Sequence, residues 1–236
     1  MNFWRANRNT LSRASDRYGV PAEIIVAIIG VETRYGENKG SYRVVDALST
    51  LGFDYPPRAT FFRKELEQFL LLSREQQQDP AVLLGSYAGA MGYGQFMPSS
   101  FRSYAVDFDG DGIADIWNNS VDAIGSVANY LAKHGWERDQ DIVMRARVDS
   151  TYNQSLINQS LNVDQTLVQV KEGGLEPVRN LPDNTPVMAM RLEGENGAEF
   201  WLGLKNFSVI TRYNRSRLYA MAVYQLANRI SKLQQE

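Results

Sequence analysis

The chain has 236 residues, 44% of them hydrophobic and 22% charged, with a formal net charge of −2. That balance is globular, fits one large domain or two small ones, and gives no bulk electrostatic case for nucleic acid or an anionic membrane. The absence of cysteine excludes disulfides, thiolate metal sites and a cysteine nucleophile.

No apolar run approaches the roughly 20 residues of a membrane span. The start, Met1-Asn2-Phe3-Trp4-Arg5, has no signal-peptide apolar region and no cysteine for lipid attachment. It fits either a cytoplasmic protein or a mature or truncated form.

Residues 4–18 read as an amphipathic helix that Gly19 stops, and Pro21 suits the start of the next. That second helix carries the apolar run Ile24 to Val31 and ends at Glu32-Thr33-Arg34-Tyr35, ahead of a loop at Gly36, Gly40 and Ser41. Val44 to Leu51 suit a short helix, and Tyr55-Pro56-Pro57-Arg58 is a rigid turn. Residues 59–73 place Phe62, Leu66, Phe69 and Leu70 on or near one helical face. Residues 85–97 hold four glycines among alanine and serine, a stretch that lets backbone approach a ligand closely. Pro98 opens a helix to about Tyr104, an acidic loop follows, and a helix runs from about Val121 to His134.

After Trp136 the pattern changes. Residues 142–148 alternate, Val168 and Val170 form a shorter alternation, and further strands are expected at 187–192 and 199–204 around a Gly194–Gly197 turn. Helical spacing returns at 215–231. The expected class is α+β: a mainly α core at 1–136, a small β-rich insertion at 137–204, and a segment at 205–236 that returns to the core.

Glu32 would share a helical face with Ile25, Ile28 and Ile29. A carboxylate there is costly unless paired or neutralised. An apolar wall also raises a carboxyl pKa and makes a proton donor near neutral pH. An acid catalyst and a satisfied carboxylate paired with Arg34 or Arg58 are both open readings. Ser86 and Gln95 suit neutral hydroxyl and amide groups, or ordinary turn chemistry. Tyr35, Phe61, Phe96, Tyr130, Tyr213 and Tyr219 could floor a sugar groove or simply pack. His134, the single histidine, is expected to cap its helix, and no nucleophile elbow accompanies it.

Asp107-Phe108-Asp109-Gly110-Asp111-Gly112 carries oxygens at positions 1, 3 and 5 and glycine at 6, the start of a calcium loop. Ile113 would offer its carbonyl at position 7. Asn118 stands at position 12 in place of the usual glutamate, and Asp122 is the nearest later acid able to close the shell. Three alternating aspartates repel one another without a cation. A structural Ca²⁺ clamp is expected here; the alternative is a solvated acidic turn.

Gly30-Val31-Glu32-Thr33-Arg34-Tyr35-Gly36, the stretch Gly89 to Ser99, the Asp107–Gly112 loop with Val121 to Ser126, and Ile210-Thr211-Arg212-Tyr213-Asn214 together resemble the membrane-bound lytic transglycosylase B family of bacteria. The resemblance runs from about residue 10 to 231. It implies a lysozyme-like α-rich core with a small β-domain and an EF-hand-type calcium site. It makes Glu32 the sole acid/base, places Ser86, Gln95, Phe96, Tyr130, Tyr213, Asn214 and Tyr219 along the glycan groove, and brings Arg58 near peptide or sugar substituents. The implied metal ligands are Asp107, Asp109, Asp111, Ile113 and Asp122. The implied partner is peptidoglycan, cut between N-acetylmuramic acid and N-acetylglucosamine with formation of a 1,6-anhydro end. A periplasmic monomer is expected, with any outer-membrane anchor outside this chain. Glycosidases usually use two carboxyl groups. A second one here would be Glu37, Asp46 or Asp54, all in or near polar loops, so a single-acid mechanism is expected. A hydrolytic muramidase and a non-catalytic, calcium-stabilised wall-binding module remain the alternatives.

Overall fold

A computed structural model describes residues 2–235. The chain forms two compact units, Met1–Lys133 with Leu226–Glu236, and His134–Gln225. Among the described residues no helix is long and apolar enough to cross a membrane.

The first unit is helical. Its centre is the helix Ala22–Thr33, apolar nearly all round, in which every residue from Ile24 to Ile29 is buried. A helix without a polar stripe must be wrapped by others, and each fully buried isoleucine contributes about 1.5–3 kcal/mol. Ser120–Lys133 packs against both this helix and Arg8–Tyr18, while Ala59–Glu75 packs against Val44–Phe53 and Pro98–Tyr104. Gly125 admits the Phe108 ring; a Cβ there would lie 2.4 Å from it.

The expected single N-terminal helix is two. Asn2–Ala6 and Arg8–Tyr18 are separated at Asn7, whose Nδ2 donates to the Phe3 carbonyl at 2.9 Å. The side chain caps the first segment where an apolar periodicity alone predicts continuity.

The second unit holds a five-stranded antiparallel sheet. Its spatial order is Gln165–Thr166, Pro186–Gly194, Gly197–Gly203, Val143–Val148, Leu175–Pro177. The central hairpin turns at Glu195-Asn196, with Gly194 paired to Gly197. Leu167, Val170, Leu175, Val187, Ala189, Leu202 and Leu204 form its core. The Val168/Val170 alternation is not a strand: Leu167–Glu172 is a helix. Thr166 and Gln169 make a reciprocal capping box there. Leu167 and Val170, three apart, face the core, and Val168 is exposed. The helix Lys205–Tyr213 was also not expected; Asn206 to Thr211 are all buried in it. The last helix is Arg217–Gln235.

Candidate active site and cation site

Glu32 lies in the last turn of the Ala22–Thr33 helix and is half-buried, with Ile25, Ile28 and Ile29 of its own helix fully buried. The helix stops because Arg34 and Tyr35 both turn left-handed, at φ 50° and 63°. Left-handed backbone costs a non-glycine residue about 1–2 kcal/mol, so this turn needs support. Buried Thr33 supplies it. Its hydroxyl lies 3.1 Å from the Ile29 carbonyl and 3.0 Å from that of Tyr93, with one proton to share, and it accepts from the Gly36 amide at 3.0 Å. Asn38 N–H closes the turn onto the Thr33 carbonyl at 2.9 Å.

From that turn the chain runs beside the glycine-rich segment. Gln95 Nε2 donates to the carbonyls of Lys39 and Gly92 at 3.2 and 3.0 Å. The Lys39 ammonium sits 4.7 Å from the centre of the Tyr93 ring and donates to the Trp117 carbonyl. Tyr42-Arg43 then pairs antiparallel with Leu84-Gly85. Gly40 has φ +95°, and a Cβ on it would fall 2.0 Å from the Gly85 carbonyl. The two backbones touch because neither position carries a side chain.

Ser86 begins the next tight turn. Its Oγ accepts from the Ala88 and Ala90 amides at 3.2 and 3.0 Å. Gln95 stands at φ 50° beside the Met91–Phe96 bridge. Phe96 and Tyr130 are buried with ring centres 5.7 Å apart, and Tyr104 meets Tyr130 edge-on at 4.9 Å. Arg58 is exposed and lies 4.5 Å over Phe61. In the second unit Tyr213 and Tyr219 stack with centres 6.5 Å apart and planes 9° from parallel, and Asn214 is exposed.

Of the other acids considered, Glu37, Asp46 and Asp54 are exposed, and Asp46 pairs with Arg43 at 2.6 Å. Sequence reasoning passed over Glu65. It is buried and accepts from the Ser99 amide and hydroxyl at 2.9 and 2.7 Å, which ties the Pro98–Tyr104 helix, and hence the end of the glycine-rich segment, to Ala59–Glu75. The signal was present: Glu65 falls on the face of Phe62 and Phe69, the same placement that singled out Glu32. Thr33 and Tyr93 were likewise missed as supports.

The acidic loop brings carboxylate oxygens of Asp107, Asp109 and Asp122 within 4.8 Å of one another. Asp111 and Ile113 are exposed, and Asp111 Oδ1 accepts from the Ile113 amide at 2.9 Å. Asp107 accepts from the Gly110 and Gly112 amides at 2.6 and 2.8 Å, and the Gly112 bond leads in holding its carboxyl below the usual range. Asp122 is fully buried in the first turn of Ser120–Lys133. One oxygen takes the Phe108 amide at 2.7 Å and the other the Asp115 amide at 2.9 Å. Burial raises its carboxyl above the usual value, those amides pull it down, and the Asp109 charge raises it again. Close carboxylates with one buried member are a donor set of the hard, all-oxygen kind that suits Ca²⁺.

Residues 1–228 match the transglycosylase SLT domain. The chain is 48% identical over 229 residues to membrane-bound lytic murein transglycosylase B of Escherichia coli K12, covering 97% of this chain and 62% of that protein. Its fold matches the lytic transglycosylase SltB1 of Pseudomonas aeruginosa with a TM-score of 0.96 at 57% identity, over 98% of this chain and 76% of that one. It also matches the E. coli lytic transglycosylase Slt35 in complex with calcium, with a TM-score of 0.90 at 46% identity, over 99% and 73% of the two chains. The mixed helical and sheet fold is thus that of solved lytic transglycosylases, as the four sequence motifs led one to expect. With that agreement running through both units, the chain belongs to the transglycosylase SLT domain family.

Proposed function

We propose that this chain is a lytic murein transglycosylase that cleaves the β-1,4 bond between N-acetylmuramic acid and N-acetylglucosamine, with Glu32 as its single acid/base. The observation that carries the reading is the placement of Glu32 at the end of an apolar helix, on a turn laced to the glycine-rich segment through Thr33 and Gln95, in a chain of this family.

The chemistry runs in two strokes. Protonated Glu32 gives its proton to the glycosidic oxygen as the bond to C1 breaks, leaving an oxocarbenium-like sugar. The substrate's own N-acetyl group supports that cation. Ionised Glu32 then takes the proton from the muramic C6 hydroxyl, whose oxygen closes onto C1 as a 1,6-anhydro ring. The carboxyl ends protonated, ready for another cycle, and no water is consumed. The exposure of Glu37, Asp46 and Asp54 favours one acid over two. Ser86, Gln95, Phe96 and Tyr130 in the first unit, and Tyr213, Asn214 and Tyr219 in the second, are the proposed glycan contacts. Arg58 is the proposed contact for peptide or sugar substituents. A core interrupted by an insertion belongs to the same reading, as does a periplasmic monomer, since peptidoglycan lies outside the cytoplasmic membrane.

The loop is proposed to hold a structural Ca²⁺ through Asp107, Asp109 and Asp122, with Asp111 and the Ile113 carbonyl completing the set in an EF-hand-type arrangement. The ion would neutralise carboxylates that repel one another and so clamp the loop to the Ser120–Lys133 helix.

Digestion of purified sacculi and mass analysis of the released muropeptides test the function. Anhydro ends support it. Reducing ends would instead mark a hydrolytic muramidase, and no release a non-catalytic wall-binding module.

A further inference from the structure

The second unit contains a cavity of about 610 Å³ between the loop 158–162 and the residues around 211–217. Three guanidinium groups line it, those of Arg212, Arg215 and Arg217, and among the described residues its lining holds no carboxylate. Asp164, which takes the Ser160 hydroxyl at 2.5 Å, is outside that lining. Two of the arginines are held in place by the loop. Arg217 Nη2 donates to the Asn158 and Ser160 carbonyls, each at 2.7 Å, and Arg212 Nη2 donates to Asn162 Oδ1 at 2.7 Å. The Nε of Arg217 is buried and has no hydrogen-bond partner. Arg215 is exposed at the rim.

We propose that this cavity is an anion site that binds a peptide carboxylate, such as those on the stem peptides of peptidoglycan. A buried cationic donor without an acceptor is costly, and the negative charge of a carboxylate bound in the cavity beside it would offset part of that cost. Guanidinium groups match planar carboxylates through paired N–H donors. Part of that donor capacity is already committed to the loop, which suits a singly charged group better than a phosphate dianion. Burial also lowers the Arg217 pKa, the direction expected of a cation in want of a counter-charge.

The choice of stem peptide rests on the proposed function; the anion site itself does not. Calorimetry on the full chain with free L-Ala-γ-D-Glu-diaminopimelate is the test, beside the same peptide with its carboxyl groups amidated and beside inorganic phosphate. Amidation should weaken binding at least tenfold, and Arg215→Gln and Arg212→Gln should each do the same while the thermal melt stays in place. Equal affinity for the amidated peptide, or for both variants, overturns the inference. So does binding of phosphate without binding of the peptide. Sacculus digestion is scored separately. Anhydro ends without peptide binding sink this inference and leave the proposed function standing, while carboxylate-dependent peptide binding without release supports the site and sinks the function.

Discussion

The Thr33 hydroxyl stands 3.0 Å from the Tyr93 carbonyl and joins the turn that presents Glu32 to the glycine-rich segment. Thr33→Val keeps the shape and removes the polar link, leaving the Gly36 amide and the Tyr93 carbonyl to find other partners. A loss of about 1–3 kcal/mol in stability is expected. If Glu32 is the acid/base, a larger effect should fall on turnover, since a small misplacement of such a group can cost on the order of 100-fold. Steady-state rates on soluble glycan, measured well below the melting temperature, separate the two. An unchanged kcat would show that this link does not position Glu32.

Glu32→Gln keeps the side-chain size and removes the proton. If Glu32 is the acid/base, anhydro-muropeptide release should fall by about 10²–10⁴-fold, the usual contribution of general acid–base catalysis, with an unaltered circular dichroism spectrum. Wild-type release from this variant would refute the single-acid mechanism.

Glu65→Ala leaves the half-buried Ser99 amide and hydroxyl without their acceptor. A destabilisation of about 1–3 kcal/mol in urea unfolding is expected. Glu65→Gln, which retains an acceptor oxygen, should recover part of it. Equal losses in the two variants would mean that the charge, not the hydrogen bonds, is what matters.

Asp122 gives the metal-free loop a pH dependence opposite in sign to that of Asp107. Its folded carboxyl titrates above its unfolded value, mainly through burial. Between those two values the folded chain holds more protons than the unfolded one, so this group's contribution to stability falls as pH rises from about 4. In chelator, Asp122→Asn should flatten that part of the melting curve against pH. In calcium the wild type should melt higher: an ion at about 100 times its dissociation constant adds about 2.7 kcal/mol. Identical melts with calcium and with chelator would dismiss the ion.

Much of this was legible because punctuation and periodicity agreed. Pro98 opens a helix that ends at Tyr104, and the alternation at 142–148 becomes the strand Val143–Val148. The failures have identifiable causes. Val168-Gln169-Val170 alternates like a strand, but the Thr166–Gln169 capping box and the pairing of Leu167 with Val170 on one face decide for a helix. Lys205–Tyr213 is short and buries polar Asn206, Ser208 and Thr211 beside Phe207, Val209 and Ile210, so its inward residues do not stand out as an apolar run. The spacing of Asp107 and Asp109 could be read locally. Their meeting with Asp122 depends on the helix that carries it, and the buried carboxylate of Glu65 acquires its meaning only from Ser99, 34 residues away.

The contact between Gly40 and Gly85 limits how a protein of this family could diversify. Any side chain at Gly40 collides with main chain rather than with a movable neighbour, so no compensating substitution nearby can make room. The ribbon is therefore closed to gradual remodelling at its crossing point. Change in what the protein recognises has to enter through the exposed side chains on either side, with Tyr42 and Tyr87 the most open of the aromatic ones there.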